Sequence, residues 1–242
     1  MCVFSRKELC NLLNDILIEK NFVRRGSAFF RAQGGEVLQT IRFDYERAFN
    51  HFELNFGLYS LYSKLSHQQF TSNNCICPYP ICSFIGCKTA VSVSIINGLS
   101  SFNIASPKEQ IKILEHTGLA WLDQIQTQEQ LIQAYHYLET QLYKEILWNN
   151  FEKLAPYLVN GNLQAADKVI NAILQQHLGS EAWTTQPWSD TDYTKYMNLF
   201  PGEDTELLQI HYWICSKDAQ SIAGYLQSNY CRNKEWGNFC IK

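Results

Sequence analysis

Residues 34–45 read GGEVLQTIRFDY, and they decide the fold of the N-terminal part of the chain. The two glycines are a turn signal, and the residues from Val37 onward alternate between two faces of an extended segment. Residues 52–58, FELNFGL, repeat this alternation. We therefore expect neighbouring antiparallel strands. The expected core face of the later strand comprises Phe52, Leu54, Phe56 and Leu58, and its outward face His51, Glu53 and Asn55.

The segments before and after these strands extend the prediction. Residues 22–33 are rich in aromatic and basic residues and predict one further strand, while residues 89–96 predict a fourth. Residues 63–87 are predicted to form a polar loop. Leucine and isoleucine recur at helical spacing over 5–20, between the cap residues Ser5 and Asn21. This helix is expected to pack on the apolar side of the sheet.

From Ser106 onward the sequence is helical. SPKE at 106–109 and TQEQ at 127–130 are helix-start signals, and the second opens a segment that Pro156 is expected to interrupt. Further helices are predicted over 163–177 and from starts at Ser189, Glu203 and Ser216. The predicted fold class is α+β. An N-terminal helix packed on a small antiparallel sheet (1–105) is followed by an all-helical C-terminal part (106–242).

Charge and hydropathy exclude several classes of protein. Residues 1–65 contain nine basic and seven acidic residues, and the rest contain eleven and sixteen, so neither part has the basic excess of a nucleic-acid binder. No apolar run approaches the ~18 residues of a membrane span, and the N-terminus lacks a secretion signal. Nine cysteines in such a chain indicate reduced thiols. We expect a cytoplasmic protein that binds neither nucleic acid nor membrane.

The first 65 residues resemble the domain-of-unknown-function family 4304, whose members are mostly bacterial. The resemblance rests on NFVRRG at 21–26, the aromatic pair Phe29-Phe30, VLQTI at 37–41 and FELNFGL at 52–58. Residues 113–131, with Ala120-Trp121-Leu122, are similar to the family's first helix after the sheet.

The resemblance implies a fold outline and a cytosolic setting, without an established activity. Some similar small bacterial proteins are encoded beside toxin genes as immunity factors. Many members carry a Gln-basic-Ser run where this chain has Phe43-Asp44-Tyr45, and an Arg-containing fourth strand where this chain has only Lys88. These departures weaken any ligand site built on those family positions.

Four cysteines in the polar loop raise the question of a zinc site. Zinc fingers pair their cysteines as C-x2-C, whereas Cys75, Cys77, Cys82 and Cys87 contain no such pair, even with His67 upstream. Buried thiols packed under a loop are the favoured interpretation. The sequence therefore predicts neither a metal nor another cofactor.

Candidate binding residues lie on the sheet and in a later loop. Arg24, Arg42, Asn55 and Tyr59 are expected to be exposed and to recognise a carboxylate, a phosphate or an acidic surface. The plainer alternative is a solvated face on which Asp44, Glu46 and Glu53 balance the arginines. Trp183 and Trp188 are candidate interface anchors, and the plainer alternative for them is core packing.

The sequence favours a non-enzymatic module over an enzyme. Gly-rich phosphate loops and the G-x-S-x-G and H-E-x-x-H motifs are absent from it. With the resemblance and the many aromatic residues, this favours a protein-interaction module of the toxin-immunity type that binds a basic partner. The alternative is a small-molecule-binding protein or hydrolase-like enzyme with a cleft between sheet and helices.

Overall fold

The computed structural model confirms the α+β class. It describes residues 6–46, 51–71, 77, 79–80, 93–96, 99–102, 107–141, 151–178, 189–199 and 203–240. The chain divides into two compact units. The first comprises residues 1–59, 65–127 and 234–242, and the second comprises 60–64 and 128–233. The predicted boundary at residue 105 thus lies inside the first unit.

The first unit contains a five-stranded sheet in which strand order follows chain order. Its strands are β1 Val23–Arg25, β2 Ala28–Arg31, β3 Val37–Glu46, β4 His51–Ser60 and β5 Tyr79–Pro80. The prediction of a single strand over 22–33 is wrong. Gly26 has a φ of 59°, the left-handed region that favours glycine, and the chain turns there into the β1–β2 hairpin. Gly34 and Gly35 turn the chain between β2 and β3, as predicted, with φ of 78° and 75°.

Helices cover one face of this sheet. They are α1 Arg6–Glu19, α2 Pro107–Ile113 and α3 Leu119–Leu122, with a π-helical turn, Leu114–Gly118, between the last two. The residue pairing sets Phe29 beside Ile41 and Arg31 beside Gln39, so these four side chains share a face. Arg31 donates to the carbonyl oxygen of Lys20 at the end of α1, and Gln39 donates to the carbonyl oxygen of Leu122 in α3. Asn21, with a φ of 64°, ends α1 as predicted.

The opposite face of the sheet is also covered. Phe30 contacts Phe239 edge to face at 5.6 Å between ring centroids, and Thr40 Oγ1 lies 3.2 Å from Cys77 Sγ. Asn55 is only 8% exposed and Tyr59 only 2%, so their predicted exposure is wrong. The predicted burial of Leu54, Phe56 and Leu58 is confirmed, and the side chain of Phe52 lies outside the described part of the structure. The alternation does not reveal that a second layer covers the other face.

The predicted fourth strand belongs to another sheet. Its described part, β6 Val93–Ile96, pairs antiparallel with β7 Leu99–Phe102 in a separate two-stranded sheet. Residues 89–92 lie outside the described part of the chain.

The second unit is built from helices. They are α4 Gln128–Gln141, α5 Phe151–Val159, α6 Leu163–Leu178, α7 Asp190–Leu199, α8 Glu203–Ser216 and α9 Ala219–Trp236, whose last three residues belong to the first unit. Leu158, Ile170, Leu174, Leu207 and Ile210 are in its core. None of the helices described is long and apolar enough to cross a bilayer.

Two predicted helix boundaries are wrong. Pro156 lies inside α5, where it forfeits one backbone hydrogen bond while burial of Leu154, Ala155 and Leu158 holds the helix in place. Ser216 ends α8 instead of starting a helix. The cap of α9 is Asp218, whose Oδ1 accepts from the backbone N–H of Ser221 at 3.0 Å.

Candidate functional site

A cleft in the first unit lies between α1 and the sheet. Its volume is about 420 Å³. Helix α1 contributes Lys7, Cys10 and Asn11, one turn apart. The β1–β2 hairpin contributes Arg24 and Gly26, and β3 contributes Phe43.

Arg24 is held at the cleft by the hairpin itself. Its Nε–H donates to the carbonyl oxygen of Gly26 at 2.9 Å, and its Cζ lies 5.6 Å from the ring centroid of Phe29. The guanidinium is exposed, whereas Cys10 and Phe43 are buried. The cleft therefore combines two exposed cations, Lys7 and Arg24, with the buried apolar side chains of Cys10 and Phe43.

The chemistry of this cleft is that of anion binding. A guanidinium can donate two parallel hydrogen bonds to a carboxylate, and a lysine ammonium adds a second positive charge. Among the described residues that line it there is no carboxylate and no imidazole. Carboxylates and imidazoles are the side chains that most often act as general bases. The lining residues can therefore hold an acidic group through their two cations.

The other predicted sheet residues lie elsewhere. Register places Arg42 beside Ala28, and therefore on the face opposite Arg24. Asp44 Oδ2 accepts from Arg42 Nη2 at 2.9 Å and from Asn55 Nδ2 at 3.3 Å. The structure thus brings Arg42 and Asn55 together around a carboxylate, as the alternative of a charge-balanced face predicts. Tyr59 is buried.

Several predicted positions lie outside the described residues. Trp183 and Trp188 are among them, as are three of the four loop cysteines, Cys75, Cys82 and Cys87. The fourth, Cys77, is buried beside Thr40.

A polar cluster in the second unit was not predicted. His211 of α8 is buried, and its Nε2 lies 3.2 Å from Asp167 Oδ1 of α6. Its Nδ1 forms a hydrogen bond with the hydroxyl of Tyr193 in α7. Cys215, one turn after His211, places Sγ 3.8 Å from Nε2 and 4.0 Å from Nδ1. Asp167, His211 and Cys215 together offer one carboxylate, one imidazole and one thiol, whose ligand atoms lie within 4.8 Å of one another.

The electrostatics of this cluster do not describe an activated cysteine. Burial lowers the pKa of His211, and the Asp167 charge opposes this. Burial also raises the pKa of the Cys215 thiol. Since Sγ is nearly equidistant from the two ring nitrogens, it lies along the hydrogen-bonding direction of neither. A nucleophilic Cys–His pair needs that direct contact. The sequence signal for the cluster is His211-x3-Cys215, a spacing that puts both side chains on one face of a helix.

Comparison of the chain with protein-family models, curated proteins and solved structures finds no match. The resemblance of residues 1–65 to family 4304 therefore stays a prediction.

Proposed function

We propose that the chain is a non-enzymatic protein-interaction module that binds an acidic segment of a partner in the cleft of its first unit. The observation that carries this proposal is the lining of the cleft. Lys7 and Arg24 stand beside the apolar surface of Cys10 and Phe43, without a carboxylate or imidazole among the described lining residues. Such a surface binds an acidic side chain, and its described lining offers neither of the two side-chain types that most often act as general bases in hydrolases.

An exposed apolar residue on α1 favours a polypeptide over a small anion. Ile18 is 51% exposed. It follows Asn11 by seven residues, which is two helical turns, and therefore lies on the same side of α1 as Lys7 and Asn11. At about 1.5 Å per residue it is roughly 10 Å further along the helix axis. An extended peptide, at about 3.3 Å per residue, spans that distance with three to four residues.

The charge of the proposed segment differs from that of the expected partner. The expectation of a basic, toxin-like partner rests on the acidic C-terminal half and on Trp183 and Trp188, and neither tryptophan is among the described residues. The cationic cleft selects an acidic segment instead. The toxin-immunity role stays a prediction, and identifying the partner would test it.

Fluorescence anisotropy with labelled peptides tests the proposal on the full chain. The probes are one peptide of glutamate and leucine and one of lysine and leucine. Replacing both cleft cations, Lys7→Ser with Arg24→Ser, is expected to weaken binding of the acidic peptide by about tenfold or more, which is ~1.4 kcal/mol. The matched control, Lys108→Ser with Lys112→Ser, removes two exposed cations from α2 and should leave affinity nearly unchanged.

Two further measurements sharpen the test. Ile18→Ser should weaken binding of the acidic peptide but not of free glutamate, since only the peptide reaches Ile18. Raising the salt concentration should weaken binding, because the cations of the cleft are exposed. Equal losses in the cleft variant and in the α2 control would show non-specific charge attraction and would refute the cleft as the site. Preference for the basic peptide would refute it as well.

A further inference from the structure

The cluster of Asp167, His211 and Cys215 is independent of the proposed cleft, because it lies wholly in the second unit. We infer that these three side chains bind one divalent ion of the zinc class, and that Tyr193 positions the imidazole. Carboxylate oxygen, imidazole nitrogen and thiolate sulfur are the three donor types that zinc accepts in proteins. The softness of the thiolate favours zinc over magnesium or calcium, which take oxygen ligands.

The distance between the carboxylate and the imidazole is already close to that of two zinc ligands. In a tetrahedral zinc site with bonds of about 2.0–2.3 Å, neighbouring ligand atoms lie about 3.3–3.7 Å apart. Asp167 Oδ1 and His211 Nε2 are 3.2 Å apart, within about 0.1 Å of that range. Cys215 Sγ is 3.8 Å from the same nitrogen, but it does not yet lie on the side of the ring where the ion would bind. His211 Nε2 is therefore the ring nitrogen that would bind the ion. Binding at Nε2 requires this nitrogen to be unprotonated, so any proton on it leaves when the ion binds.

The third ligand requires a side-chain rotation. Cys215 Sγ is also 4.0 Å from Nδ1, so the thiolate has to turn about its Cα–Cβ bond toward Nε2. Cys215 is exposed, and its rotation therefore opposes little packing. Asp167 is partly exposed, so two of the three ligands are accessible from solvent. The imidazole of His211 is buried between the helices.

Tyr193 supplies the outer contact that a ligating histidine needs. When Nε2 binds an ion, Nδ1 carries the remaining proton and donates it to a neighbouring oxygen, which sets the orientation of the ring. The hydroxyl of Tyr193 already lies against Nδ1, and the Tyr193 side chain is buried. Loss of such an outer partner typically costs about 10–100-fold in metal affinity.

Cobalt(II) is the spectroscopic probe, because tetrahedral thiolate ligation gives intense visible bands and a sulfur-to-cobalt charge-transfer band. The full chain, stripped with a chelator under reducing conditions, is titrated with Co2+ and then with Zn2+. We expect one ion per chain, the charge-transfer band, and displacement of cobalt by zinc.

Three variants test the individual side chains. Cys215→Ser should abolish the band. Asp167→Asn, which keeps an oxygen beside Nε2 but removes the negative charge of the ligand, should weaken binding. Tyr193→Phe should weaken binding while retaining the band.

The control variants assign the ion to this cluster. Cys231→Ser removes another exposed cysteine of the same unit and should bind like the wild type. Added zinc should raise the melting temperature of the wild type and Cys231→Ser, because binding to the folded state stabilises it, but not that of Cys215→Ser. Three results would overturn the inference: a wild type without the charge-transfer band, an equal loss of the band in Cys231→Ser, or its loss in Cys77→Ser with retention in Cys215→Ser. The last result would assign the ion to the cysteine-containing loop.

Discussion

The role of Arg31 in the structure differs from the one that its sequence context suggests. In the sequence it is one of several basic residues on a strand, whereas in the fold it is buried. Its guanidinium donates to Asp123 Oδ1 at 2.7 Å and to Gln39 Oε1 at 2.6 Å and 3.1 Å, and it lies 4.4 Å from the ring centroid of Phe22. Burial lowers the pKa of Arg31, and the contact with Asp123 opposes that shift. Arg31 therefore has a structural role.

The first prediction concerns the loss of this guanidinium. Arg31→Met would leave the acceptors of Asp123 and Gln39 without their donor inside the first unit. We expect a loss of about 3 kcal/mol in the free energy of unfolding, the lower end of the range for a broken buried pair, because Asp123 is partly exposed. Denaturant unfolding measures it.

The matched control is Arg24→Met, which replaces an exposed arginine on the same face of the sheet. We expect a change within about 0.5 kcal/mol, as for other surface substitutions. Similar losses in the two variants would contradict the structural role of Arg31.

Strand β4 shows at the level of an element why alternation alone misjudges exposure. Its core face is buried beneath the helical layer, where Phe56 contacts Trp121 edge to face at 5.8 Å. Its other face is buried too, as the exposed fraction of Asn55 shows. A period of two residues assigns side chains to faces, but burial of each face depends on what packs there.

The second prediction concerns the core face of this strand. Leu54 is fully buried, and Leu54→Ala is expected to lower the free energy of unfolding by about 2–5 kcal/mol through lost burial and a residual cavity. The backbone N–H of Leu54 donates to Gln110 Oε1 at 2.8 Å and is retained in the variant.

Leu12→Ala in α1 is the control, since Leu12 is 40% exposed. We expect it to cost less than about 1 kcal/mol. A loss below that value for Leu54→Ala would mean that the face assignment is wrong.

For the molecule as a whole, segments far apart in the chain join in one unit. Residues 60–64 belong to the second unit, although residues on both sides of them belong to the first. Asn233 of α9 is fully buried and donates from Nδ2 to the carbonyl oxygens of Leu61 at 2.8 Å and Ser63 at 2.7 Å. Tyr62 stacks on Tyr230 at 4.8 Å between ring centroids. These contacts hold the segment on α9.

The third prediction tests this attachment. Asn233→Asp replaces the donating amide with a carboxylate that faces two carbonyl oxygens. We expect a loss of about 3 kcal/mol or more near neutral pH, since two buried hydrogen bonds are replaced by a buried charge. The loss should shrink as pH falls, because the burial that raises the carboxyl's pKa above its unfolded value favours the protonated form, which can again donate.

Gln227→Glu, the same chemical change at an exposed position of α9, is the control and should change stability by less than about 0.5 kcal/mol. Thermal unfolding at several pH values compares the two. An Asn233→Asp loss that is independent of pH would contradict the buried-charge explanation.

Features with a local cause could be predicted from the sequence. The alternation at 37–43, the helical spacing in α1 and α6, the left-handed Asn21 and the Gly34-Gly35 turn depend on backbone preferences of neighbouring residues. The turn at Gly26 could have been predicted, since a glycine inside an expected strand indicates a break. Asn97-Gly98 is likewise a hairpin signal in the sequence, and the strands on either side of it, β6 and β7, pair antiparallel.

Only the tertiary structure determines the contacts between segments that are distant in the sequence. The second face of the sheet in the first unit is covered partly by residues 237–240. In the second unit, the His211 cluster brings together side chains from three helices. The helix-periodic sequence places His211 and Cys215 on one face of α8, yet nothing in it brings Asp167 or Tyr193 to that face. Helical periodicity specifies which side of a helix is apolar, whereas the packing of all the helices together determines which neighbour meets it.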